Sequence, residues 1–333
     1  MTARARVLVV RLSAMGDVVQ ALGAVEALAL ARPEWEVHAV AQTAFAPLFE
    51  NLAHVASVIP HARRPAVTGF VRTVRRLRRM RFDLALDLQG NGKSVAIARA
   101  CGARRCVGIA APWRREPWSA CLLHERVAAS GEPHPARLAF AVVRAVAADA
   151  IELPPRVVAT PAELAAEAAR LAPLGIDAEL PFSCYVLGDP ADNRSWPAAQ
   201  AARAASACPW PVLTLLGPGE PEGMPVPSGL PVLRHGPGEV RRLVALGALI
   251  ARAGGTVVGP DQGPTHVLAA AGADTTVLYG PQDPRRTAPP RARVLVRADG
   301  PSCVPCRRRR CDHPEGPVCM QFAPGESATP PSP

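Results

Sequence analysis

The chain has 333 residues, enough for two domains of ordinary size, and 49% of them are hydrophobic, so a sizeable core can be buried. A charged fraction of 20% argues against global disorder, and no apolar run reaches the roughly 18 residues that a membrane span requires. The formal net charge of +10 favours an anionic partner, but an aromatic content of 4% and the lack of a recognition motif argue against nucleic acid.

Strand-like and helix-like segments alternate along the N-terminal half. Residues 6–12 form a short β-branched run that predicts a buried strand. A signal peptide is the alternative, which we disfavour because Arg11 and Asp17 interrupt the apolar stretch and no small-residue cleavage pattern follows. Further strands are predicted at residues 35–41 and 82–88, and helices at 17–31 and 93–100. This alternation is typical of βαβ units around a parallel sheet.

A strongly basic amphipathic helix is predicted between Val71 and Met80, where apolar residues recur every third position. Its other side carries four arginines, Arg72, Arg75, Arg76 and Arg79. A surface for anionic lipid or phosphate and an ordinary solvated face are both consistent with this pattern.

The proline-rich residues 153–161 predict a linker to a second α/β half. That half contains predicted strands at 182–187, 212–216, 256–259 and 275–279, and predicted helices at 163–171, 240–253 and 265–271. We therefore predict an N-terminal domain over residues 1–155, a C-terminal domain over 156–325 and a disordered Pro/Ser-rich tail over 326–333. A cleft between two such domains is a common place for a ligand.

Polar motifs follow several predicted strands, where ligands of open α/β sheets bind. The first, Arg11-Leu-Ser-Ala-Met-Gly-Asp17, places a carboxylate at a helix start, which by itself is more typical of an ordinary N-terminal aspartate. The second, residues 87–94, ends in Gly-Lys-Ser and matches only part of a phosphate loop. It holds Lys93, the only lysine of an arginine-rich chain. Because an ammonium and a guanidinium are not equivalent, its presence favours a chemical role, and chance survival is the alternative.

Two further motifs lie in the second half. Residues 259–271, GPDQGPTHVLAAA, lead from a strand through a glycine turn into a helix, whose free N–H groups suit a diphosphate. Residues 279–287, YGPQDPRRT, again follow a strand.

These four motifs, in this order, resemble those of glycosyltransferase family 9, the ADP-heptose:lipopolysaccharide heptosyltransferases. That family carries a V-R-L-S-S-M-G-D-V-like start and D-x-Q-G-x-x-K-S, D-T-G-x-S-H-x-A-A-A and F-G-P-T-D-P-x-R-T segments, and the resemblance covers residues 7–320. It implies an α/β fold of GT-B architecture, in which two Rossmann-like domains face each other across a cleft. The N-terminal domain is expected to bind the acceptor and the C-terminal domain the nucleotide sugar. The resemblance also implies inverting transfer that requires no cofactor and no catalytic metal.

The resemblance assigns roles to individual residues. Asp17 matches the general base that takes the proton of the acceptor hydroxyl. The matches on the acceptor side are Arg11, Gln89 and Lys93. The matches on the donor side are Arg194, Glu220, Asp261, Gln262, Gly263 and His266, with Arg194 standing where the family has a lysine that neutralises the leaving diphosphate.

The resemblance also implies the substrates, an ADP-activated heptose-type sugar and the lipid A-linked acidic sugar of the lipopolysaccharide inner core. The expected location is the cytoplasm, with peripheral contact to the anionic cytoplasmic face of the inner membrane. Asp189, Gln262 and Pro264 depart from the family pattern, all on the donor side. Another nucleotide-sugar donor, or a non-catalytic sugar- or lipid-binding paralogue, is therefore the alternative.

Four of the nine cysteines lie near the C-terminus, in a segment rich in proline and charge. Cys303 and Cys306 form a C-x-x-C pair that Cys311 and Cys319 would complete as a structural zinc site, with His313 as a substitute ligand. Free thiols and a disulfide are the alternatives, and cytoplasmic redox conditions disfavour the disulfide.

Overall fold

The computed structural model describes residues 4–131 and 133–322, so the tail predicted at residues 326–333 lies outside the described residues. The chain divides into two compact units, Met1–Val157 and Val158–Pro333. Each unit is built around its own six-stranded sheet. No helix within the described residues is both long enough and apolar enough to cross a membrane.

The first unit contains a parallel sheet in the order β3-β2-β1-β4-β5-β6. Its strands are β1 (Arg6–Val10), β2 (Glu36–Gln42), β3 (Val55–His61), β4 (Leu84–Asp87), β5 (Arg105–Ile109) and β6 (Glu125–Val127), and its helices are α1 (Met15–Ala31), α2 (Ala66–Met80), α3 (Gly92–Ala100) and α4 (Pro135–Arg144). Successive residues Val7–Val10 are all buried, which shows that both faces of the central strand are covered.

The second unit contains a parallel sheet in the order β12-β11-β10-β7-β8-β9. Its strands are β7 (Ser183–Val186), β8 (Val212–Leu216), β9 (Val232–Arg234), β10 (Thr256–Pro260), β11 (Asp274–Tyr279) and β12 (Arg293–Val296). Its helices are α5 (Pro161–Leu171), α6 (Ala198–Ser206), α7 (Val240–Arg252), α8 (Gly263–Ala270) and the short α9 (Pro284–Thr287).

The two sheets share one topology. When the strands of each unit are counted in chain order, both sheets read 3-2-1-4-5-6, the Rossmann order. The direction of winding reverses between β1 and β4 in the first unit and between β7 and β10 in the second. Ligands of such sheets bind at the carboxyl ends of the strands beside this switch point, so the fold itself marks one place in each unit.

The strands and helices predicted from the sequence are present, with differences only at their ends. The sequence patterns missed five strands, β3, β5, β6, β9 and β12, and the helices α4, α6 and the short α9. Strands β6 and β9 have three residues each, too few to show a period. Strand β3 lies at a sheet edge and buries only Ile59 fully, so its polar and proline residues obscure the strand pattern.

Candidate active site

The first switch point holds an arginine–aspartate pair. Arg11 directly follows β1 and is 5% exposed, and its Nη1 donates to the carbonyl oxygen of Leu88 at 2.6 Å. Its Nη2 lies 3.1 Å from Oδ2 of Asp17, and its Nε donates to the Asp17 carbonyl oxygen. Asp17 is the third residue of α1, and 42% of its side chain is exposed. The buried guanidinium therefore fixes a carboxylate that stays open to solvent.

Gln89 joins the two loops that leave this switch point. Its Oε1 accepts hydrogen bonds from the backbone N–H of Leu12 at 2.6 Å and of Ser13 at 3.2 Å. The residue follows β4, whereas both donors follow β1. In this structure Gln89 therefore holds the loop that carries Asp17, since its side-chain oxygen is already engaged.

A buried ion pair that the sequence analysis did not single out lies beneath this loop. Asp87, the last residue of β4, accepts from Arg114 Nη2 at 2.7 Å, and both side chains are fully buried. The other carboxylate oxygen accepts from the N–H groups of Gln89 and Gly90. The sequence signal for a buried charge was an aspartate at the end of an apolar strand. Its partner could not be identified from the local sequence, because Arg114 lies 27 residues further along the chain.

Lys93 lies in the first turn of α3 and is exposed. The helix start is ordered by Asn91, whose side chain accepts from the backbone N–H of Ser94 at 3.0 Å. Burial, with a smaller contribution from the positive charge of Lys93, lowers the pKa of His61. The only lysine side chain therefore lies at the start of the helix that follows β4, and Asp17 lies at the start of the helix that follows β1, the other strand of this switch point.

The basic helix is present as α2 and presents its arginines to solvent. Thr73 and Leu77 are buried on its inner face. Its outer face carries the exposed residues Arg72, Arg75, Arg76 and Arg79, none of which forms an ion pair with a described residue.

The second switch point is built around a buried carboxylate. Asp261 follows β10 and is 6% exposed, and its Oδ1 lies 2.8 Å from Nε2 of His266. Its Oδ2 accepts from the Thr287 hydroxyl at 3.0 Å. Burial acts to raise the pKa of Asp261, but these hydrogen bonds and the charge of Arg194 together hold it below its usual value. The carboxylate thus links α8 to the segment after β11.

Arg194 is held by the same network. Its Nη1 donates to the Asp261 carbonyl oxygen at 3.0 Å, and its Nε and Nη2 form a two-pronged pair with Asp192 at 2.9 and 2.6 Å. The hydrogen bonds with Asp192 raise the pKa of Arg194. The carboxylate of Asp189 does not pair with Arg194; its Oδ1 accepts a hydrogen bond from the backbone N–H of Ala191 instead. The partner of Arg194 is therefore Asp192, a residue that the sequence analysis did not name.

The start of α8 differs from an open anion site. Gln262 precedes the helix, and its N–H donates to the Pro260 carbonyl oxygen at 2.7 Å. Its side-chain amide lies above Gly188, where a Cβ would come within 2.5 Å of Gln262 Nε2. Gly263 opens the helix and Pro264, the next residue, has no N–H to donate. Fewer backbone donors are thus available than at an ordinary helix start.

Glu220 lies after β8, apart from the network around Asp261. Its carboxylate folds back over Gly217, where a Cβ would lie 2.8 Å from Oε2. Its carbonyl oxygen accepts from Arg234 Nη1 at 3.3 Å. The structure therefore brings five of the predicted donor-side residues together at the switch point and places the sixth beside the neighbouring strand.

The four C-terminal cysteines lie near one another. Burial and the neighbouring thiols of Cys311, Cys306 and Cys303 raise the pKa of Cys319 to about 11. All the cysteines lie within the described residues and all are free thiols. Among the described residues, no group of three or more His, Cys, Asp or Glu side chains is arranged to hold a metal ion.

Comparison with known proteins identifies the family. The model of glycosyltransferase family 9 (heptosyltransferase) matches residues 70–222 and 240–315. Lipopolysaccharide heptosyltransferase 1 of Pseudomonas aeruginosa is 27% identical to this chain over an alignment that covers 92% of the chain and 88% of that protein.

Solved structures of the same family share the fold. A glycosyltransferase family 9 protein from Veillonella parvula superposes with a TM-score of 0.74 at 17% identity, covering 89% of this chain and 87% of its own. The E. coli ADP-heptose lps heptosyltransferase II superposes with a TM-score of 0.68 at 20% identity, covering 89% and 91%. Two parallel Rossmann-like sheets of the same order agree with the GT-B class that the sequence predicted. The chain therefore belongs to glycosyltransferase family 9 and is a glycosyltransferase with the GT-B fold.

Proposed function

We propose that this enzyme transfers a heptose-type sugar from an ADP-sugar to the lipid A-linked acidic sugar of the lipopolysaccharide inner core, with inversion at the anomeric carbon. The lipopolysaccharide heptosyltransferase of Pseudomonas aeruginosa supports the substrate class. In this proposal the acceptor binds to the N-terminal domain, residues 1–155, and the nucleotide sugar to the C-terminal domain, residues 156–325.

The observation that carries the proposal is the position and solvent exposure of the Asp17 carboxylate. Its carboxylate is oriented by Arg11 at a strand end, yet 42% of the side chain is exposed and can meet a substrate. Asp17 takes the proton of the acceptor hydroxyl while that oxygen forms a bond to the anomeric carbon. The bond from this carbon to the diphosphate breaks in the same displacement, and ADP leaves with the electron pair.

On the acceptor side, Lys93 is the residue proposed to contact substrate. Its exposed ammonium at the start of α3 would pair with the carboxylate or phosphate of an acidic lipid-linked sugar. Arg11 and Gln89 act differently, because the Arg11 guanidinium is engaged with Asp17 and Leu88, and the Gln89 side-chain oxygen accepts from Leu12 and Ser13. We assign them to positioning the catalytic loop.

On the donor side, Arg194 and the start of α8 are proposed to meet the charge of the leaving diphosphate, and no catalytic metal or other cofactor is required. Asp261 and His266 hold this region together through their 2.8 Å contact. Gln262 and Gly263 line the approach to the helix, and Glu220 accepts hydrogen bonds from the ribose hydroxyls.

The test is transfer of heptose to a lipid A-linked acidic saccharide, followed by mass spectrometry of the product. The wild-type protein is expected to form the product with ADP-heptose, and Lys93→Ala to require about tenfold more acceptor, the cost of one charged hydrogen bond. ADP-heptose binding by the variant should be unchanged. If the wild-type protein binds ADP-heptose but transfers nothing, the enzymatic proposal fails.

A specific observation favours a different donor as the second candidate. Asp189, in the segment that follows β7, forms no ion pair with a described residue. Gln262 covers Gly188, and Pro264 has no N–H to donate at the start of α8. A carboxylate near a diphosphate repels it, and a proline at the helix start supplies no N–H, so these departures from the family pattern put the identity of the donor in doubt. Calorimetry with ADP-, UDP- and GDP-sugars distinguishes the cases, and failure to bind any of them would favour a non-catalytic paralogue.

We further propose that α2 brings the cytoplasmic enzyme to the anionic face of the inner membrane. Four exposed arginines without ion-pair partners among the described residues support this, since such charges remain available to phosphates. Replacing Arg72, Arg75, Arg76 and Arg79 with glutamine should weaken sedimentation with phosphatidylglycerol vesicles, most clearly at low salt. Equal binding by wild type and variant would identify α2 as an ordinary solvated face.

The clustered thiols near Cys319 leave a structural zinc ion as a proposal of its own. A C-x-x-C pair and two further thiols are the ligands that zinc prefers, and the local chain has little core to stabilise it. Metal analysis of protein purified without chelator decides the question. About one equivalent of zinc supports the site, whereas four titratable thiols without zinc contradict it.

A further inference from the structure

The second unit contains a buried histidine with unused hydrogen-bonding capacity. His235 follows β9, and only 5% of it is exposed. Neither Nδ1 nor Nε2 makes a hydrogen bond of ordinary geometry with any described residue. Its backbone is fixed, because its N–H donates to the Leu216 carbonyl oxygen at 3.0 Å. A buried ring without a hydrogen bond of ordinary geometry among the described residues is costly to maintain, so a ligand is a natural partner to look for.

The ring lies beside Gly217 at the carboxyl end of the sheet. Nε2 of His235 lies 3.1 Å from the position that a Cβ on Gly217 would occupy, and Oε2 of Glu220 lies 2.8 Å from the same position. Gly217 directly follows β8, the strand beside β9. An imidazole and a carboxylate therefore face the same point beside Gly217, which a side chain could occupy only by displacing one of them.

The buried surroundings favour the neutral form of the ring. Burial lowers the pKa of His235, and the charge of Arg170 acts in the same direction. The backbone of Gly236 and the carboxylate of Glu239 favour the protonated ring but do not outweigh burial. A neutral imidazole offers one donor and one acceptor, whereas the Glu220 carboxylate offers only acceptors.

We propose that His235 is a nucleoside-binding residue, whose Nε2 hydrogen-bonds a ribose hydroxyl of the same diol that Glu220 holds. This inference rests on the proposed nucleotide-sugar donor. A vicinal diol needs acceptors for its two protons and presents lone pairs for a donor, and the pair His235–Glu220 supplies both kinds of group. His235 thereby selects for a complete ribose.

The experiment measures binding of ADP, 2′-deoxy-ADP and 3′-deoxy-ADP by calorimetry. We expect wild type to bind ADP about tenfold more tightly than at least one deoxy analogue, the effect of one hydrogen bond. His235→Phe should bind ADP about tenfold more weakly and lose that discrimination. His235→Gln, which can place an amide nitrogen near Nε2, should restore much of it, and its steady-state effect should fall on the donor KM with kcat unchanged.

The matched control is His38→Phe, which alters a histidine that is similarly buried but lies in the first unit and pairs with Ser57. It should leave ADP binding unchanged. If wild type binds ADP and His235→Phe binds it equally well, or loses all three ligands to the same extent, the inference is wrong while the proposed function stands. A wild-type protein that binds no ADP overturns both. Should the Phe variant fail to fold, the comparison of His235→Gln with His235→Ala decides by the same criteria.

Discussion

The two switch points share one topology but differ in how their polar groups are exposed. At the first, the carboxylate of Asp17 is 42% exposed and is held by a buried arginine. At the second, the carboxylate of Asp261 is buried and the guanidinium of Arg194 is partly exposed. The same sheet topology thus presents an accessible carboxylate in one unit and an accessible guanidinium in the other. The comparison shows that two sheets of one topology can carry opposite charges at the same place, because the residues after each strand differ.

The largest expected effect tests the base at the first switch point. Asp17→Asn keeps the size of the side chain but cannot accept the proton, so turnover should fall on the order of 100- to 10,000-fold. The measurement is the initial rate of product formation at saturating donor and acceptor. Binding of ADP-sugar, measured in parallel, should be unchanged. Turnover near that of the wild type would remove Asp17 from the catalytic role.

The next effect tests the support beneath that base. Arg114→Ala leaves Asp87 charged and unpaired in a fully buried position, which typically costs about 3–5 kcal/mol in the free energy of unfolding. Denaturant unfolding measures this loss. The control is Arg105→Ala, which breaks the exposed pair with Glu125 and should cost less than about 1 kcal/mol. Equal losses of unfolding free energy in the two variants would show that the buried pair stabilises the protein no more than the exposed pair does.

A third experiment addresses the cation at the second switch point. Arg194→Ala should lower turnover by about 100- to 1,000-fold, since it removes a group placed to stabilise developing charge. The unfolding free energy should change little, because Asp192 is partly exposed and can be hydrated. Arg203→Ala, an exposed arginine of α6, is the control and should retain full turnover. If Arg194→Ala unfolds the protein instead, the role of this arginine is structural.

The smallest effect concerns an ion pair remote from both switch points. Arg241 forms a two-pronged pair with Glu163 at 2.7 and 2.6 Å, and this lowers the pKa of Glu163 to about 2. Because the folded-state pKa is depressed, the stabilisation is present above pH 4.5 or so and is lost as the pH falls toward 2. The side chain is 28% exposed, so we expect Glu163→Gln to cost about 1 kcal/mol at pH 7.

Denaturation as a function of pH checks this expectation. The difference in unfolding free energy between the wild type and Glu163→Gln should disappear as the pH falls from 4.5 to 2. A difference that stays constant across this range would contradict the linkage.

Much of the fold follows from the sequence because central parallel strands are buried on both faces and read as continuous apolar runs. Strands β1, β7 and β8 were predicted for this reason. Edge strands such as β3 and β9 carry mixed patterns and were missed. The family of the chain was predicted from four short motifs, and its confirmation rests on matches along most of the chain.

The local partners within the candidate site were harder to predict. A motif names Arg194 but gives no indication that Asp192 will hold it, and nothing in the local sequence of Asp87 indicates Arg114. Such pairs depend on where distant segments meet after folding. His235 was missed for a related reason, since an unpaired ring can be recognised only when all its neighbours are known.

The exposed position of Lys93 has a practical consequence. Since it is the only lysine of the chain, its side chain is the only primary amine apart from the N-terminus. An amine-reactive fluorophore or photo-crosslinker will therefore attach at one internal position, at the start of α3. Such a probe would report directly on molecules that approach the first switch point, without any engineered cysteine.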